Sequence, residues 1–414
     1  MYIHVRNLWL IAAGGSAGYT ARYLRTRLNI AIAQHRRRTS PDPTGGLLRL
    51  QTLYGYNEHS LVSIVPGAMQ WSTPEIDGAI IYGEFGRIWL AAGDPLAAAD
   101  DTAELARQFA AFAKNQGRVA AFTPSSSRFA RLVSPGDFAA VKIGAAPYFD
   151  LPNWNPRGDS AKKMRAGVNQ ARRAGVQVEA ITGDIGDSLR EETTHLCSRW
   201  LNTRRAPATF AWLVALNPFL HAGHKRYFAA RVGGRLVGFL AASPIPARNG
   251  WYIEDVLREP NAPQGTATLL VAEALATLKA EGALLATLGT VPLATQGEDD
   301  ITNGEHPVAE RALRAASTRF GSFYNFEGLR RFKSKFAPSY WESEYALSQR
   351  GVLMSPRVGH AIVRALVPGG LTQLLTRQAL RAVREKSPAV RVGLVQLENV
   401  TRHLASTSKL TSRK

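Results

Sequence analysis

Short apolar runs, bounded by glycine or proline, recur through the chain from about residue 47 to 348. Residues 60–65, 79–82, 87–93 (RIWLAAG), 118–122 and 141–151 each predict a strand. So do 227–232, 236–242, 250–256 and 284–289, with turns at Gly233-Gly234 and Arg248-Asn249-Gly250. Helical spacing covers 101–115, ending at Gly117, as well as 187–203 and 266–279, the last closed by Gly282. A further helix lies in GDSAKKMRAGVNQARRAG, where Met164, Val168 and Ala171 form the apolar positions. Strands alternating with helices predict an α/β fold.

The flanks differ in pattern. Residues 1–34 read as helical with Arg22, Arg25 and Arg27, followed by Arg36, Arg37 and Arg38, and Pro41, Pro43, Gly45 and Gly46 then break the chain. Such a segment suits either an anionic lipid surface or ordinary docking. Residues 294–307 read as a polar loop, and a helix through Glu310, Arg314 and Ala315 follows. Residues 352–382 are apolar and basic, compatible with a membrane surface or with docking on a domain, and 405–414 read as a disordered tail.

Charge narrows the partners. The 414 residues carry 51 Lys plus Arg against 32 Asp plus Glu, a formal net charge of +19. That excess favours a polyanion, either nucleic acid or acidic lipid. The single cysteine, Cys197, rules out an intrachain disulfide and a cysteine-built zinc site. No stretch has the length of a confident spanning helix, and no signal-peptide cleavage pattern is present. A cytoplasmic protein, able to rest on a membrane surface, is expected.

Motifs for nucleotide or zinc chemistry (GxGxxG, a Walker lysine, HExxH) do not occur in the first half. Asp94, Asp100 and Asp101 read as turn and helix-capping residues. His195 and Cys197 fall on different faces of their helix and make no catalytic pair. The turn PQGT (263–266) is a weak match to a coenzyme A pyrophosphate loop and is as well explained by helix capping.

The strand ending IEDVLR is more informative. Asp255 could orient or deprotonate a hydroxyl, and Arg258 could hold a phosphate or a developing oxyanion; a salt bridge closing the loop is the plain alternative. The stretch 320–345, FGSFYNFEGLRRFKSKFAPSYWESEY, interleaves Arg330, Arg331, Lys333 and Lys335 with aromatic residues. Its aromatics can anchor it while its cations face phosphate. Lys162, Lys163, Arg172 and Arg173 decorate the basic helix in the same way, and a solvated helix surface is the alternative there.

These segments, in this order, resemble the soluble C-terminal catalytic domain of the bacterial phosphatidylglycerol lysyltransferases and alanyltransferases, the multiple-peptide-resistance-factor family. The matching stretches are LYGYNEHS (53–60), IIYGEFGRIWLAAGDP (80–95), DLPNW with KKMRAGVNQARRAG, IEDVLREPNAPQGT (253–266), LGTVPL (288–293) and FYNFEGLRRFKSKF (323–336). The resemblance implies tandem N-acetyltransferase-like (GNAT) α/β domains, at 47–152 and 153–348, the second catalytic. A basic helical segment and linker (1–46) and a basic amphipathic extension (349–414) lie outside it. It implies aminoacyl-tRNA as donor and a membrane lipid as acceptor, with activity resting on Asp255, Arg258 and basic residues of the RRFKxKF segment. The family's multi-helix membrane domain has no counterpart here, so lipid transport is not expected.

The expected reaction moves an aminoacyl group, lysine or alanine, from tRNA to the hydroxyl of a lipid such as phosphatidylglycerol. Asp255, Arg258, Arg330 and Lys333 are the expected catalytic residues. Lys162, Lys163, Arg172, Arg173, Arg331 and Lys335 are expected to contact the donor, with Tyr324 and Phe326 beside its terminal adenosine. Glu254, Glu273 and Glu327 are equivalent candidates for an acid facing the amino acid. No cofactor is expected: PQGT argues against coenzyme A, and no ligand cluster argues for a metal. The alternatives are an acyl-coenzyme A-dependent N-acyltransferase and a non-catalytic RNA-binding or membrane-peripheral protein.

Overall fold

The structure is a computed structural model that describes residues 43–134, 136–202, 216–294, 296–297, 326–349 and 356–366. The chain begins there with α1 (Pro43–Tyr54) and a single turn, α2 (His59–Val62), where alternation had predicted a strand over 60–65. The apolar run is real, but it buries Leu61 and Ile64 against Leu47, Leu50 and Ile81 as a turn packed under α1. Strands β1 (Met69–Thr73), β2 (Ile76–Phe85) and β3 (Ile88–Ala91) form an antiparallel meander. Helix α3 (Thr102–Asn115) then crosses to β4 (Val119–Ser126), parallel to β3. In α3, Leu105, Phe109 and Ala113 recur at four-residue spacing and are buried, and the chain leaves it through Gly117 at φ 65°. Asp101 makes no side-chain cap on this helix, contrary to the capping expectation. Asp94 instead accepts from the backbone N–H (2.9 Å) and hydroxyl (2.6 Å) of Ser126, whose own Oγ caps α4 (Ser127–Val133).

Strand β5 (Phe138–Asp150) is followed by α5 (Lys162–Arg173), β6 (Gln177–Ile181) and α6 (Asp187–Asn202). Then come β7 (Arg226–Val232), β8 (Arg235–Ile245), β9 (Gly250–Arg258), α7 (Thr266–Ala280), β10 (Leu285–Thr287) and β11 (Val291–Pro292). The described chain closes with α8 (Phe326–Ser334), β12 (Tyr340–Gln349) and α9 (Pro356–Leu366).

All the named strands belong to one mixed sheet, in the order β1-β2-β3-β4-β12-β5-β10-β9-β8-β7-β6, with β11 on β5. The sheet is continuous across the expected boundary at residues 152/153. Strand β12, late in the sequence, lies between β4 and β5 and pairs antiparallel with both. Helices α5 and α7 cover one face of the second half, around Leu240, Ile253, Leu270 and Leu275, and α6 covers the other around Phe239 and Leu257. Helix α9, from the apolar basic stretch, docks Val358, Ala361 and Ala365 onto Ile88, Leu90 and Ala121 and leaves Arg357, His360 and Arg364 exposed. Domain docking is therefore its role over 356–366; the rest of that stretch, the N-terminal segment, most of the 294–307 loop and the helix expected through Glu310 lie outside the described residues.

Candidate active site

The site forms where two parallel strands part. Strands β9 and β10 pair only over 250–252 and 285–287. Beyond Tyr252, β9 continues along β8, whereas the chain from β10 turns at Gly289 and joins β5 as β11. Gly289 has φ 72°, and a Cβ on it would stand 2.5 Å from the Tyr252 ring, so only glycine fits this turn. Thr287 ties it down, its hydroxyl donating to the Pro147 carbonyl (2.9 Å) and accepting from the Gly289 N–H (3.1 Å).

On the free stretch of β9 the ladder slips by one residue: Ala242 faces Ile253 while Ala241 faces Asp255, leaving Glu254 as the extra residue of a bulge. The bulge sets Glu254 and Asp255 side by side, both partly buried. Glu254 is neutralised by Lys225 (Nζ–Oε2 2.9 Å), itself buried, and accepts from the Ser243 hydroxyl. Asp255 has no such partner, and its Oδ2 is buried without a hydrogen bond among the described residues. Burial, and then the charge of Glu254, push its pKa well above the carboxylate range, with Lys225 opposing. Arg258 stands exposed at the strand's end and donates to the carbonyls of Glu259 (3.2 Å) and Pro260 (3.4 Å). The structure does not join it to Asp255 by any described hydrogen bond or ion pair, so the salt bridge considered from sequence is not formed.

Cys197 on α6 reports on the same carboxyl. Burial, and then the Asp255 charge, push the thiol up to about 12. Alkylation of Cys197 by iodoacetamide at pH 8 is expected to run about three orders of magnitude below that of a free thiol. Asp255→Asn should accelerate it, whereas an unchanged rate would mean that Asp255 carries no charge there.

The other wall of the fork comes from α8. Phe332 and Phe336 pack edge-to-face, with centroids 5.3 Å apart, and fix the helix on the α5/α7 core. Lys333 is thereby driven inward, where its Nζ donates to the carbonyls of Gly289 (2.7 Å) and Thr290 (2.9 Å). Burial lowers its pKa to about 8. Behind the turn lie Glu58, which immediately precedes α2, and Glu344 from β12. Glu58 accepts from the Tyr148 hydroxyl (3.1 Å), and Glu344 from the Thr290 hydroxyl (2.6 Å). Burial and the charge of Glu58 push Glu344 far up. Burial also works against Glu58, but the hydrogen bonds from Glu344 and Tyr148 outweigh it and hold that carboxyl low, so the pair keeps one proton, on Glu344. Nearby, Arg248 joins Glu342 (2.6 Å) and lies over the rings of Tyr148 (4.5 Å) and Tyr56 (5.1 Å), tying β8, β12 and β5 together.

The remaining expected residues fall outside this interior. Arg330 and Arg331 point outward and share Glu327 (2.7 and 3.0 Å), whose carboxyl their hydrogen bonds pull down to about 2. Lys335 donates to Thr268 Oγ1 (2.7 Å) and sits over the Phe332 ring (4.1 Å), with burial lowering it to about 8. Arg172 is paired with Glu273 (2.6 Å), while Lys162, Lys163 and Arg173 are exposed and form no ion pair among the described residues. Glu254, Glu273 and Glu327 therefore each face a basic partner. Phe326 is half-buried at the start of α8, and Tyr324 lies outside the described residues. Between the start of α5 and the end of α8 an open cavity of about 450 Å³ is lined by Asn153, Trp154, Ser160, Ser334, Ser339 and Trp341. The PQGT turn is a packing element: Gly265 has φ 88°, and a Cβ there would stand 2.0 Å from the Gly167 carbonyl of α5.

Sequence reasoning missed Glu58, His59, Tyr148, Thr290 and Glu344. The signal was adjacent ionisable residues, Glu58-His59, leading into the apolar run LVSIV, where burial should have excluded them. Most of the segments quoted above meet at or beside this fork.

The family model "Phosphatidylglycerol lysyltransferase, C-terminal" matches residues 52–348. A lysylphosphatidylglycerol biosynthesis bifunctional protein of Mycobacterium avium is 23% identical over 327 residues, 76% of this chain and 27% of that one. A phosphatidylglycerol lysyltransferase of Bacillus subtilis is 23% identical over 267 residues, 64% of this chain and 30% of that one. This chain spans 27% to 39% of the length of such curated relatives. The structure of L-PGS from Bacillus licheniformis superposes with a TM-score of 0.64 at 19% identity, covering 79% of this chain and 98% of that one. A domain assigned to a lysylphosphatidylglycerol synthetase of Agrobacterium fabrum gives 0.66 at 21% identity, covering 79% and 97%. These likenesses carry the fold, a mixed α/β architecture built on one large sheet. With the family model matching most of its length, the chain belongs to the phosphatidylglycerol lysyltransferase C-terminal family.

Proposed function

We propose that the protein transfers an aminoacyl group, lysine or alanine, from aminoacyl-tRNA to a hydroxyl of a membrane lipid such as phosphatidylglycerol, working at the inner face of a bacterial membrane. The observation that carries this is Asp255: a half-buried carboxyl whose Oδ2 is enclosed without a hydrogen bond, and which has no ion pair among the described residues, on the strand that opens the fork, inside the stretch matched by the family. A carboxylate so placed is a stronger base than one in water and can take the proton of an attacking hydroxyl. The hydroxyl oxygen bonds to the ester carbonyl carbon, the tetrahedral oxyanion collapses, and the bond to the tRNA ribose oxygen breaks as that oxygen regains a proton. One ester replaces another, so the activated donor supplies the driving force.

The other residues divide by position. Lys333 holds the turn at Gly289 and Thr290 and so fixes the shape of the fork. Arg258, exposed at its mouth, is suited to a phosphate of lipid or donor. Lys162, Lys163 and Arg173 offer uncompensated charge to the tRNA backbone, whereas Arg172, Arg330 and Arg331 must first leave Glu273 and Glu327. The polar cavity between α5 and α8, with two indoles, three serines and two asparagines in its lining, suits the terminal nucleoside by size and by stacking. The units 47–152 and 153–348 remain the proposed division of the chain, with β12 shared between them.

Purified protein is to be incubated with a panel of radiolabelled aminoacyl-tRNAs and mixed bacterial lipids, and the lipids separated. Label in one lipid from one tRNA is the expected result and identifies both substrates. No labelled lipid from any charged tRNA, with folded protein and a full extract, would sink the reading. Transfer from acetyl-coenzyme A would favour the N-acyltransferase instead.

A further inference from the structure

We propose that Glu58, His59 and Glu344 form a binding site for one first-row divalent metal ion, of the zinc or manganese class, between α2 and β12. One donor atom from each residue lies within 4.8 Å of the other two, and all three residues are buried. This grouping overturns the expectation, drawn from sequence, that no ligand cluster exists. The inference stands apart from the aminoacyl transfer proposed above.

His59 is the observation that distinguishes the cluster from an ordinary acidic pair. It is 8% exposed, and neither ring nitrogen has a hydrogen-bond partner among the described residues. A neutral imidazole presents a lone pair on one nitrogen and an N–H on the other, and leaving both unmet in the interior is costly. Burial also favours the neutral ring, the form that ligates metals. The residue is held from behind: the backbone N–H of His59 donates to Asn57 Oδ1 (3.1 Å), and Gly93 approaches so closely that a Cβ there would lie 3.2 Å from His59 Cβ.

The carboxylates are prepared in the same sense. Each is oriented by a hydroxyl, Glu58 by Tyr148 and Glu344 by Thr290, as ligating carboxylates commonly are. Lys333, the nearest cation, donates to two backbone carbonyls and makes no described hydrogen bond to either carboxylate, so it leaves their remaining lone pairs open. Bond lengths of about 2.0–2.2 Å need the donors roughly 3.5 Å apart, so binding must draw them in from the 4.8 Å that bounds them here. One imidazole with two carboxylates suits zinc or manganese better than magnesium, which prefers oxygen and retains its waters.

The test uses full-length, tag-free protein stripped with chelator, loaded with zinc or manganese, passed through a desalting column and assayed for bound metal by mass spectrometry. One ion per chain is expected, with no magnesium retained. Glu344→Gln mimics the protonated carboxyl and keeps its hydrogen bond to Glu58, so it should fold while binding at least about tenfold more weakly. His59→Gln should do the same, and circular dichroism verifies both folds; if one variant is unfolded, the other decides. Cobalt should give visible absorption bands in the parent and lose them in the folded variants. Failure to retain zinc or manganese overturns the proposal. So does equal retention by parent and folded variants, which would place the ion on other histidines.

Discussion

Asp255→Asn is expected to lower the turnover rate by about two to four orders of magnitude while leaving the Michaelis constant for tRNA nearly unchanged. Asparagine keeps the size and polarity of the side chain but cannot accept a proton. A loss confined to turnover marks an interaction made in the transition state rather than in binding. The pH profile gives an independent check. The folded-state pKa of Asp255 is raised by burial and by Glu254 and is opposed by Lys225, with Cys197, Tyr227 and Tyr252 the other ionisable neighbours that feel its charge. The active, ionised form is populated only above that raised value. Activity should therefore climb with pH through a range above that of an ordinary carboxylate, and this limb should vanish in Asp255→Asn. The sign for stability is opposite: a carboxyl raised by folding binds its proton more tightly in the native state, so its contribution falls as pH rises between the unfolded and folded values. A variant that kept full rate would remove Asp255 as the base and leave the family assignment standing.

Gly265→Ala is expected to destabilise the protein by roughly 3 kcal/mol or more, from left-handed strain of about 1–2 kcal/mol and overpacking of about 1–3 kcal/mol. Gly282→Ala is the matched control: its φ of 85° is close to the 88° of Gly265, but a Cβ there meets nothing within 4 Å. The difference between the two variants in urea midpoints isolates the contact between α7 and the Gly167 carbonyl of α5. Equal losses would show that the two helices can separate at no cost.

The pattern of apolar positions carried most of the second half. Strands β7, β8 and β9 and helices α3, α5 and α7 fall where alternation, helical spacing and the glycine stops place them. Local periodicity failed where a tertiary contact decided the outcome. Residues 59–62 form a helical turn because α1 lies above them, and a strand would leave Leu61 and Ile64 without that cover. The bulge at Glu254 is invisible in IEDVLR, because the slip belongs to the pairing with β8. The cluster of Glu58, His59 and Glu344 draws on the two ends of the matched region, and only the insertion of β12 brings those ends together. In the RRFKSK segment, sequence named the cations but not their directions. Two aromatic anchors turn Lys333 in and Lys335 across, while Arg330 and Arg331 face solvent.

The position of β12 between β4 and β5 governs how the molecule can be made. During synthesis, the amino-terminal strands emerge long before the partner that separates β4 from β5 in the finished sheet. Until residues 340–349 have left the ribosome, β4 and β5 present unpaired edges that could pair with one another or with another nascent chain. Closing that pairing late spans most of the matched sequence, which raises contact order and slows the final step. Chains stopped ahead of β12 should therefore accumulate as aggregation-prone species rather than as a free-standing first domain.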